Sequence, residues 1–255
     1  MNKFVYPPEK YLSIIIPVNN EEDNIILLYT QLKEVLNTIN KTYEIIFIDD
    51  GSNDKTYQYL CEIHKKDKNL NIIKLIKKYG QTASLSAGFY FSKGEIVITM
   101  DGDLQHNPYD IPKFLEKIEY GYDLVNGWKN HREDNFLNKI LPSLIANKII
   151  NILFNTELHE ICCSFRAYRQ ELIKDIKLYG ESHRFIPLLM RGKKISITEV
   201  KISCNKRRHG KSHYGLLGRM KRVILDISYL YRNNYEKIKD FFNPKDLIKE
   251  LKFHP

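Results

Sequence analysis

The sequence has few of the features that mark membrane-spanning, secreted or metal-cluster proteins. No stretch approaches the roughly 18 uninterrupted apolar residues of a membrane-spanning helix. No apolar core of a signal peptide follows the single Lys3. The four cysteines, Cys61, Cys162, Cys163 and Cys204, match no metal-binding spacing, which favours reduced thiols. We therefore expect a cytoplasmic protein, peripheral at the cytoplasmic face of the membrane or soluble.

The chain has an excess of positive charge. It carries a net charge of +9 over 255 residues, with many of the basic residues between positions 193 and 222. Such a balance suits nucleic acid, phosphorylated small molecules or an acidic bilayer, and a solvated basic face is the alternative. Aromatic residues that could stack on bases are not interleaved with these basic residues, so we expect no nucleic-acid partner.

Short apolar runs alternate with helical periods over the first half of the chain. The pattern predicts strands at 11–17, 43–48, 71–76, 95–100 and 122–126, and helices at 21–39, 54–64, 81–91 and 108–119. Such alternation is typical of a doubly wound α/β fold with a mostly parallel sheet. Beyond residue 130 the alternation fades, and amphipathic helices are predicted at 136–154 and 216–231.

Polar segments follow three of the predicted strands. They are 17–21, 49–52 and 101–103. The ends of parallel strands meet at one edge of the sheet, so these segments can face a single ligand. Asp50 is placed to accept hydrogen bonds from a base or ribose, Gly51 allows close backbone approach, and Ser52 or Asn53 is expected to cap the next helix.

Asp101 and Asp103 flank Gly102 directly after a strand. Two carboxylates this close repel each other unless a cation or a proton lies between them. Mg²⁺ and Mn²⁺ bind in this way, through one or two carboxylates together with substrate phosphates. The alternative is a polar turn in which one aspartate caps the following helix.

Seven motifs in order resemble the family-2 glycosyltransferases of the GT-A fold. Among these the chain is most similar to polyprenyl-phosphate and dolichyl-phosphate sugar transferases, from about residue 11 to 231. The motifs are IPVNNEE (16–22), IDDGSND (48–54), YGQTASLSAG (79–88), MDGDLQHNP (100–108), SFRAYR (164–169), YGESHRFIP (179–187) and RRHGKSHY (207–214). The resemblance implies a GT-A catalytic domain at 1–215, with a nucleotide-sugar half at about 10–128 and an acceptor-side half at about 129–215.

The resemblance assigns the donor side. It implies that Asp101, Asp103 and Gln105 hold Mg²⁺ or Mn²⁺ against the diphosphate of a UDP- or GDP-sugar. The residues implied in donor binding are Pro17, Asn19, Glu21, Asp50, Gly51, Ser52, Gln81, Asp101, Gly102, Arg166 and Ser212. Arg207 and Ser212 would lie on a loop that closes over the diphosphate. The implied reaction is inverting, with Asp103, Arg207, Lys129 and Glu160 as the catalytic set.

The acceptor implied by the resemblance is a polyprenyl (undecaprenyl or dolichyl) phosphate. Candidate phosphate-positioning groups are Lys129, Arg132 and Arg166, and surface solvation is the alternative for them. Relatives usually carry Asp-x-Gly-Cys where this chain has Glu160-Ile-Cys-Cys163, and many carry an arginine where it has Leu144. These departures keep open a soluble or glycan hydroxyl acceptor in surface polysaccharide synthesis, with Glu160 as the base.

The final segment, 216–255, is predicted to be an amphipathic helical extension without a membrane span. Its basic face could meet anionic headgroups, so peripheral membrane contact is expected, and packing on the core is the alternative. A membrane-protein partner is a further hypothesis. A nucleotidyltransferase is disfavoured because the first strand is followed by Asn19-Asn20-Glu21-Glu22 rather than a glycine-rich phosphate loop.

Overall fold

The computed structural model describes residues 9–129, 148, 151–152, 156–174, 176–190, 195–205 and 243–254. The strands are β1 (Lys10–Val18), β2 (Tyr43–Asp49), β3 (Leu70–Leu75), β4 (Gly94–Thr99), β5 (Leu124–Lys129), β6 (Arg166–Arg169), β7 (Ile197–Ile202) and β8 (Ile248–Lys252). The α-helices are α1 (Ile25–Thr38), α2 (Thr56–His64), α3 (Gln81–Phe91), α4 (Ile111–Glu119), α5 (Gln170–Ile173) and α6 (Ile186–Leu189). Short 3₁₀ turns occupy Pro108–Asp110, Ser182–Phe185 and Pro244–Leu247.

The strands form one mixed sheet in the order β7-β5-β6-β4-β1-β2-β3-β8. The pairs β1–β2, β1–β4, β2–β3 and β5–β7 are parallel, whereas β6 and β8 run antiparallel to their neighbours. As a result, the carboxyl ends of β1 to β5 and β7 lie at one edge of the sheet. The start of β6 lies at that same edge.

Helices cover both faces of the sheet. On one face, the apolar stripe of α4 packs on β5, β6 and β7 and that of α1 packs on β1 and β2, and the buried positions of α1 recur at helical spacing. On the other face, α3 packs against the opposite side of β1 and β2. This arrangement confirms the predicted α/β fold with a mostly parallel sheet.

Several element boundaries differ from the prediction. Helix α1 begins at Ile25 rather than at position 21, because the backbone N–H groups of Glu21 and Glu22 donate to Thr56 Oγ1 (2.8 Å) and to Asp54 Oδ2 (3.2 Å). Strand β5 extends to Lys129 because it pairs with β7 over its whole length.

The predicted helical C-terminal extension is only partly within the described residues. The segment 216–231 lies outside them. Residues 244–252 form a 3₁₀ turn and β8, which pairs antiparallel with β3, so the helical prediction is wrong for this part. Tertiary pairing at a sheet edge decides this conformation. Within the described ranges, no helix is both long and apolar enough to cross a bilayer.

Candidate active site

The ends of β1 and β2 are tied together by hydrogen bonds at the carboxyl edge. The Asp50 backbone N–H donates to the Val18 carbonyl at 2.9 Å, and Asn19 Nδ2 donates to the Asp50 carbonyl at 2.7 Å. The Lys78 ammonium donates in turn to Asn19 Oδ1 at 2.7 Å. The two polar segments 17–21 and 49–52 therefore lie side by side, as their strand positions predict.

Asp50 fixes the loop that leads into α3. Its two carboxylate oxygens accept the backbone N–H groups of Tyr79 (2.6 Å) and Gly80 (2.8 Å). Burial raises the pKa of Asp50, although these two hydrogen bonds oppose the shift. A carboxylate oxygen can accept a second hydrogen bond, so the predicted contact with a base or ribose is chemically available.

Gly51 is required by its surroundings. Its φ of +67° is in the left-handed region, and a Cβ there would lie 2.6 Å from the Lys78 backbone nitrogen. The backbone that comes close to Gly51 in the structure is the loop after β3.

Ser52 and Asn53 do not cap α2, which corrects the prediction. Ser52 Oγ accepts the Asn20 backbone N–H at 3.0 Å, and Asn20 Oδ1 accepts the Asn53 backbone N–H at 2.8 Å. Helix α2 starts only at Thr56, with Lys55 before it. The two polar segments bind each other because β1 and β2 are neighbours.

Glu21, Pro17 and Gly102 occupy the predicted edge. The Glu21 carboxylate accepts a hydrogen bond from Asn24 Nδ2 at 2.6 Å. A Cβ on Gly102 would lie 2.6 Å from Val18 Cγ1 and 3.3 Å from the Pro17 carbonyl oxygen. The turn after β4 therefore packs directly on the end of β1.

Asp101 is held by three groups from different segments. Gln81 Nε2 at the start of α3 donates to Asp101 Oδ1 at 2.7 Å, and Ser164 Oγ donates to Oδ2 at 2.6 Å. The Asp101 backbone N–H donates to His106 Nδ1 at 3.2 Å. The Asp101 carboxylate is therefore held from α3 and from the residue just before β6, while its backbone is held within its own turn.

The residues predicted to hold a divalent cation lie on this turn. Asp103 is buried, and its Oδ1 accepts the Gln105 backbone N–H at 3.1 Å. Two carboxylates and a side-chain amide form an all-oxygen donor set, which suits Mg²⁺ or Mn²⁺. Across the described part of the chain, no three His, Cys, Asp or Glu side chains form a metal cage. A site with two carboxylates that is completed by substrate oxygens fits both observations.

His106 and His183 are buried, in keeping with the non-catalytic roles that the sequence favours. Burial, together with the charge of Lys129, lowers the pKa of His106 to about 3, so its Nδ1 stays an acceptor for Asp101. Burial also lowers the pKa of His183, whose Nδ1 pairs with Thr82 Oγ1 at 2.6 Å. Both imidazoles are neutral supports of the edge.

Lys129 and Glu160 lie together at the end of β5. The Lys129 backbone N–H donates to Glu160 Oε2 at 2.9 Å, and Glu160 is buried. Burial alone would lower the pKa of Lys129, but the neighbouring Cys163 and the carboxylates of Glu160 and Asp101 outweigh it and raise that pKa. The ammonium of Lys129 therefore stays protonated.

Arg166, which was predicted to bind the donor and to position phosphate, is buried and hydrogen-bonded within the protein. It is 1% exposed, and its Nε donates to Asn126 Oδ1 at 2.7 Å. Its terminal nitrogens donate to the carbonyls of Ile161 (2.5 Å), His183 (2.8 Å) and Arg184 (2.8 Å). Four of its five N–H groups are thus used inside the protein, so the guanidinium braces the acceptor-side half.

Four other predicted residues, Arg132, Leu144, Arg207 and Ser212, lie outside the described residues. The helix predicted at 136–154 is described only at Lys148, Asn151 and Ile152, which are helical.

A cleft of about 550 Å³ lies at the β5–β7 edge of the sheet, and neither Asp101 nor Asp103 lines it. Its walls include Trp128, Leu158 and Glu199. The Trp128 ring stacks on His159 with centroids 4.0 Å apart. Hydrogen bonds and charge converge instead on Asp101, so we place the candidate active site there and not in this cleft.

The mostly parallel sheet, with helices on both faces and carboxylates at its carboxyl edge, defines a doubly wound α/β protein, a class in which ligands bind outside the carboxyl ends of the strands. The model of the family "Glycosyl transferase family 2" matches residues 13–177. The chain therefore belongs to glycosyl transferase family 2.

Two relatives illustrate where the chain falls within this family. It is 37% identical over 220 residues to a dodecaprenyl-phosphate galacturonate synthase of Rhizobium johnstonii, covering 85% of this chain and 65% of the relative. It is 34% identical over 208 residues to an undecaprenyl-phosphate 4-deoxy-4-formamido-L-arabinose transferase of Shewanella sediminis, covering 81% and 62%. The chain thus spans just under two thirds of the length of these relatives.

Solved structures confirm the predicted GT-A type of fold. One is glucosyl-3-phosphoglycerate synthase from Mycobacterium tuberculosis in complex with Mn²⁺, UDP-glucose and phosphoglyceric acid. It superposes with a TM-score of 0.67 at 19% identity, covering 89% of this chain and 82% of that one. At this identity the likeness establishes the fold alone.

Proposed function

We propose that this protein transfers a sugar from a nucleoside-diphosphate sugar to a polyprenyl phosphate, with inversion at the anomeric carbon. The observation that carries the proposal is the convergence of Asp50, Asp101 and Asp103 at one sheet edge, in a chain whose relatives are named as polyprenyl-phosphate sugar transferases. In this proposal the ends of β1 and β2 would hold the nucleotide, and the turn after β4 would supply oxygen donors for a cation.

The roles proposed for the donor-side residues follow from the charge that develops on the leaving group. When the bond between the anomeric carbon and the diphosphate breaks, the leaving nucleoside diphosphate gains negative charge. We propose that Asp101, Asp103 and Gln105 hold Mg²⁺ or Mn²⁺, which would neutralise this charge. Asn19, Asp50 and the backbone of Gly51 would contact the nucleoside, since they form the tip of β1 and β2.

On the acceptor side, a lipid phosphate needs no general base. It is already ionised at neutral pH, so an oxygen of the phosphate can attack the anomeric carbon while the diphosphate leaves. The ammonium of Lys129, kept protonated beside Glu160 and Asp101, is suited to orient that phosphate. Glu160 would then position Lys129 by accepting the hydrogen bond of the Lys129 backbone N–H, and it would not remove a proton from an acceptor.

The acceptor also implies a place of action. A polyprenyl phosphate is held in a bilayer, so we propose that the protein works at a membrane surface, on the cytoplasmic side where nucleotide sugars are made. Flotation with anionic vesicles at low salt is the direct test, because basic contacts with headgroups weaken as salt rises. Co-purification from the native host tests for a membrane-protein partner.

The decisive experiment offers radiolabelled UDP- and GDP-sugars, with Mn²⁺ or Mg²⁺, to the protein and polyprenyl phosphate in detergent micelles. We expect label in the organic phase that disappears when EDTA removes the metal. The labelled product also identifies the base, the sugar and the better metal. Donor hydrolysis without labelled lipid, or transfer to a glycan hydroxyl, would contradict the proposed acceptor.

A further inference from the structure

Ser164 lies next to the candidate metal site although it is distant in sequence. Its hydroxyl donates to Asp101 Oδ2 at 2.6 Å, while Gln81 occupies Oδ1 of the same carboxylate. The donor-binding and metal roles assigned above include Gln81 and Asp101 but not Ser164. Its position follows from how β4 and β6 pair.

The antiparallel register places Ser164 opposite Asp101. Along β4 and β6, Ile96 pairs with Arg169 and Thr99 with Arg166. Two residues further along each strand, in opposite directions, the chain reaches Asp101 and Ser164. The serine therefore meets the aspartate because of sheet pairing, and not through a local turn.

Ser164 is itself fixed in place. The buried Thr99 hydroxyl donates to the Ser164 carbonyl at 2.7 Å. The neighbouring Arg166 is braced by four internal hydrogen bonds. The hydroxyl therefore approaches Asp101 from a rigid support, which limits the rotation of that carboxylate.

We propose that Ser164 is a positioning residue of the metal site: it fixes the orientation of Asp101, so that the carboxylate presents its free lone pairs to a divalent cation bound with the donor diphosphate. This inference rests on the proposed function. Groups that hydrogen-bond a metal-ligating carboxylate orient it, and their loss typically lowers metal affinity about 10- to 100-fold.

The test is a titration of the full chain with Mn²⁺ in the presence of UDP, in which paramagnetic resonance measures free Mn²⁺. We expect Ser164→Ala to raise the Mn²⁺ concentration at half-saturation by about 10-fold or more. Ser164→Thr keeps the hydroxyl and should stay close to wild type. Ser92→Ala is the matched control, since this buried serine also donates one hydrogen bond, to the Phe89 carbonyl, away from the site.

The outcomes separate this inference from the proposed function. A Ser164→Ala titration that superimposes on wild type would overturn the inference, even if the wild type labels lipid. A wild type that binds Mn²⁺ with UDP but labels no lipid contradicts the proposed acceptor alone. A wild type that binds no Mn²⁺ with UDP, and none when GDP replaces UDP, overturns both the inference and the donor chemistry.

The fold of each variant is checked by its thermal transition. Should Ser164→Ala lose a cooperative transition, Ser164→Cys replaces it, because the thiol fills similar space and is a weak donor. A purely structural role for Ser164 predicts a lower Tm with an unchanged Mn²⁺ titration, and this result would also count against the proposal.

Discussion

The nucleotide-side half and the acceptor-side half of this protein arrange their polar residues in different ways. In the first, the polar residues follow parallel strands, and each lies at the sheet edge where its strand ends. In the second, the antiparallel β6 carries Arg166 into the interior, where it braces neighbouring carbonyls. A motif residue at the end of a strand thus lies at the sheet edge, whereas one within a strand, such as Arg166, is bonded in the interior.

The largest effect should come from the turn after β4. We expect Asp103→Ala to lower sugar transfer by about 100-fold or more, because it removes a proposed ligand of the cation that stabilises the leaving diphosphate. The assay is radiolabelled transfer at saturating Mn²⁺. Glu62→Ala removes an exposed acid on α2 and should leave transfer unchanged. Full activity of folded Asp103→Ala would remove the basis for a metal site here.

Arg166 and Lys129 sharpen the comparison because both were predicted to position phosphate. Arg166→Ala should lower the free energy of unfolding by about 3–5 kcal/mol, since it leaves several buried carbonyls unpaired. Arg166→Lys should not restore it, because an ammonium cannot replace the guanidinium fork. Lys129→Met should instead lower transfer roughly 100-fold, with a smaller loss of stability than Arg166→Ala because it leaves no buried carbonyl unpaired. Chemical denaturation and transfer assays on the three variants distinguish the roles, and a stable but inactive Arg166→Ala would reverse them.

A substitution at Gly51 tests how tightly the loop after β2 packs against the loop after β3. Gly51→Ala should lower the free energy of unfolding by at least about 2 kcal/mol, because it adds a contact with the Lys78 backbone to the strain of a positive φ. Gly180→Ala is the matched control. It has a φ of +48° with nothing within 4 Å of a Cβ, so only strain of about 1 kcal/mol is expected. Equal losses in urea denaturation would show that the loop after β3 yields to the added methyl group.

The smallest expected effect is on how the free energy of unfolding changes with pH. Burial, followed by the charges of Arg184 and Arg166, lowers the pKa of His183 below the ordinary value of 6.5. The unfolded chain therefore binds one more proton as the pH falls below 6.5, and stability is lost by at most about 1.4 kcal/mol per pH unit. His183→Gln removes this proton and keeps a partner for Thr82. Its free energy of unfolding should fall less steeply than that of wild type between pH 6.5 and 5, with parallel curves above pH 7.5.

The sequence predicts the donor edge well for a physical reason. Parallel strands end at one edge, so the segments at 17–21, 49–52 and 101–103 could be brought together from strand positions alone. Local capping was predicted less well. Ser52 was predicted to cap the helix that follows it in sequence. Its hydroxyl instead accepts the backbone N–H of Asn20, which follows the adjacent strand β1.

The sequence by itself determined the α/β class, the family and the carboxylates of the edge, because apolar period and motif order are local properties of the chain. Only the tertiary structure decided which motif residues lie at the sheet edge and which are bonded in the interior. The pairing of β4 with β6 brings Ser164 to Asp101 and buries Arg166, and the pairing of β3 with β8 turns the chain end into a strand. The alternation within one strand decides which of its faces is buried, but the register between distant strands also depends on packing and hydrogen bonding with the partner strand.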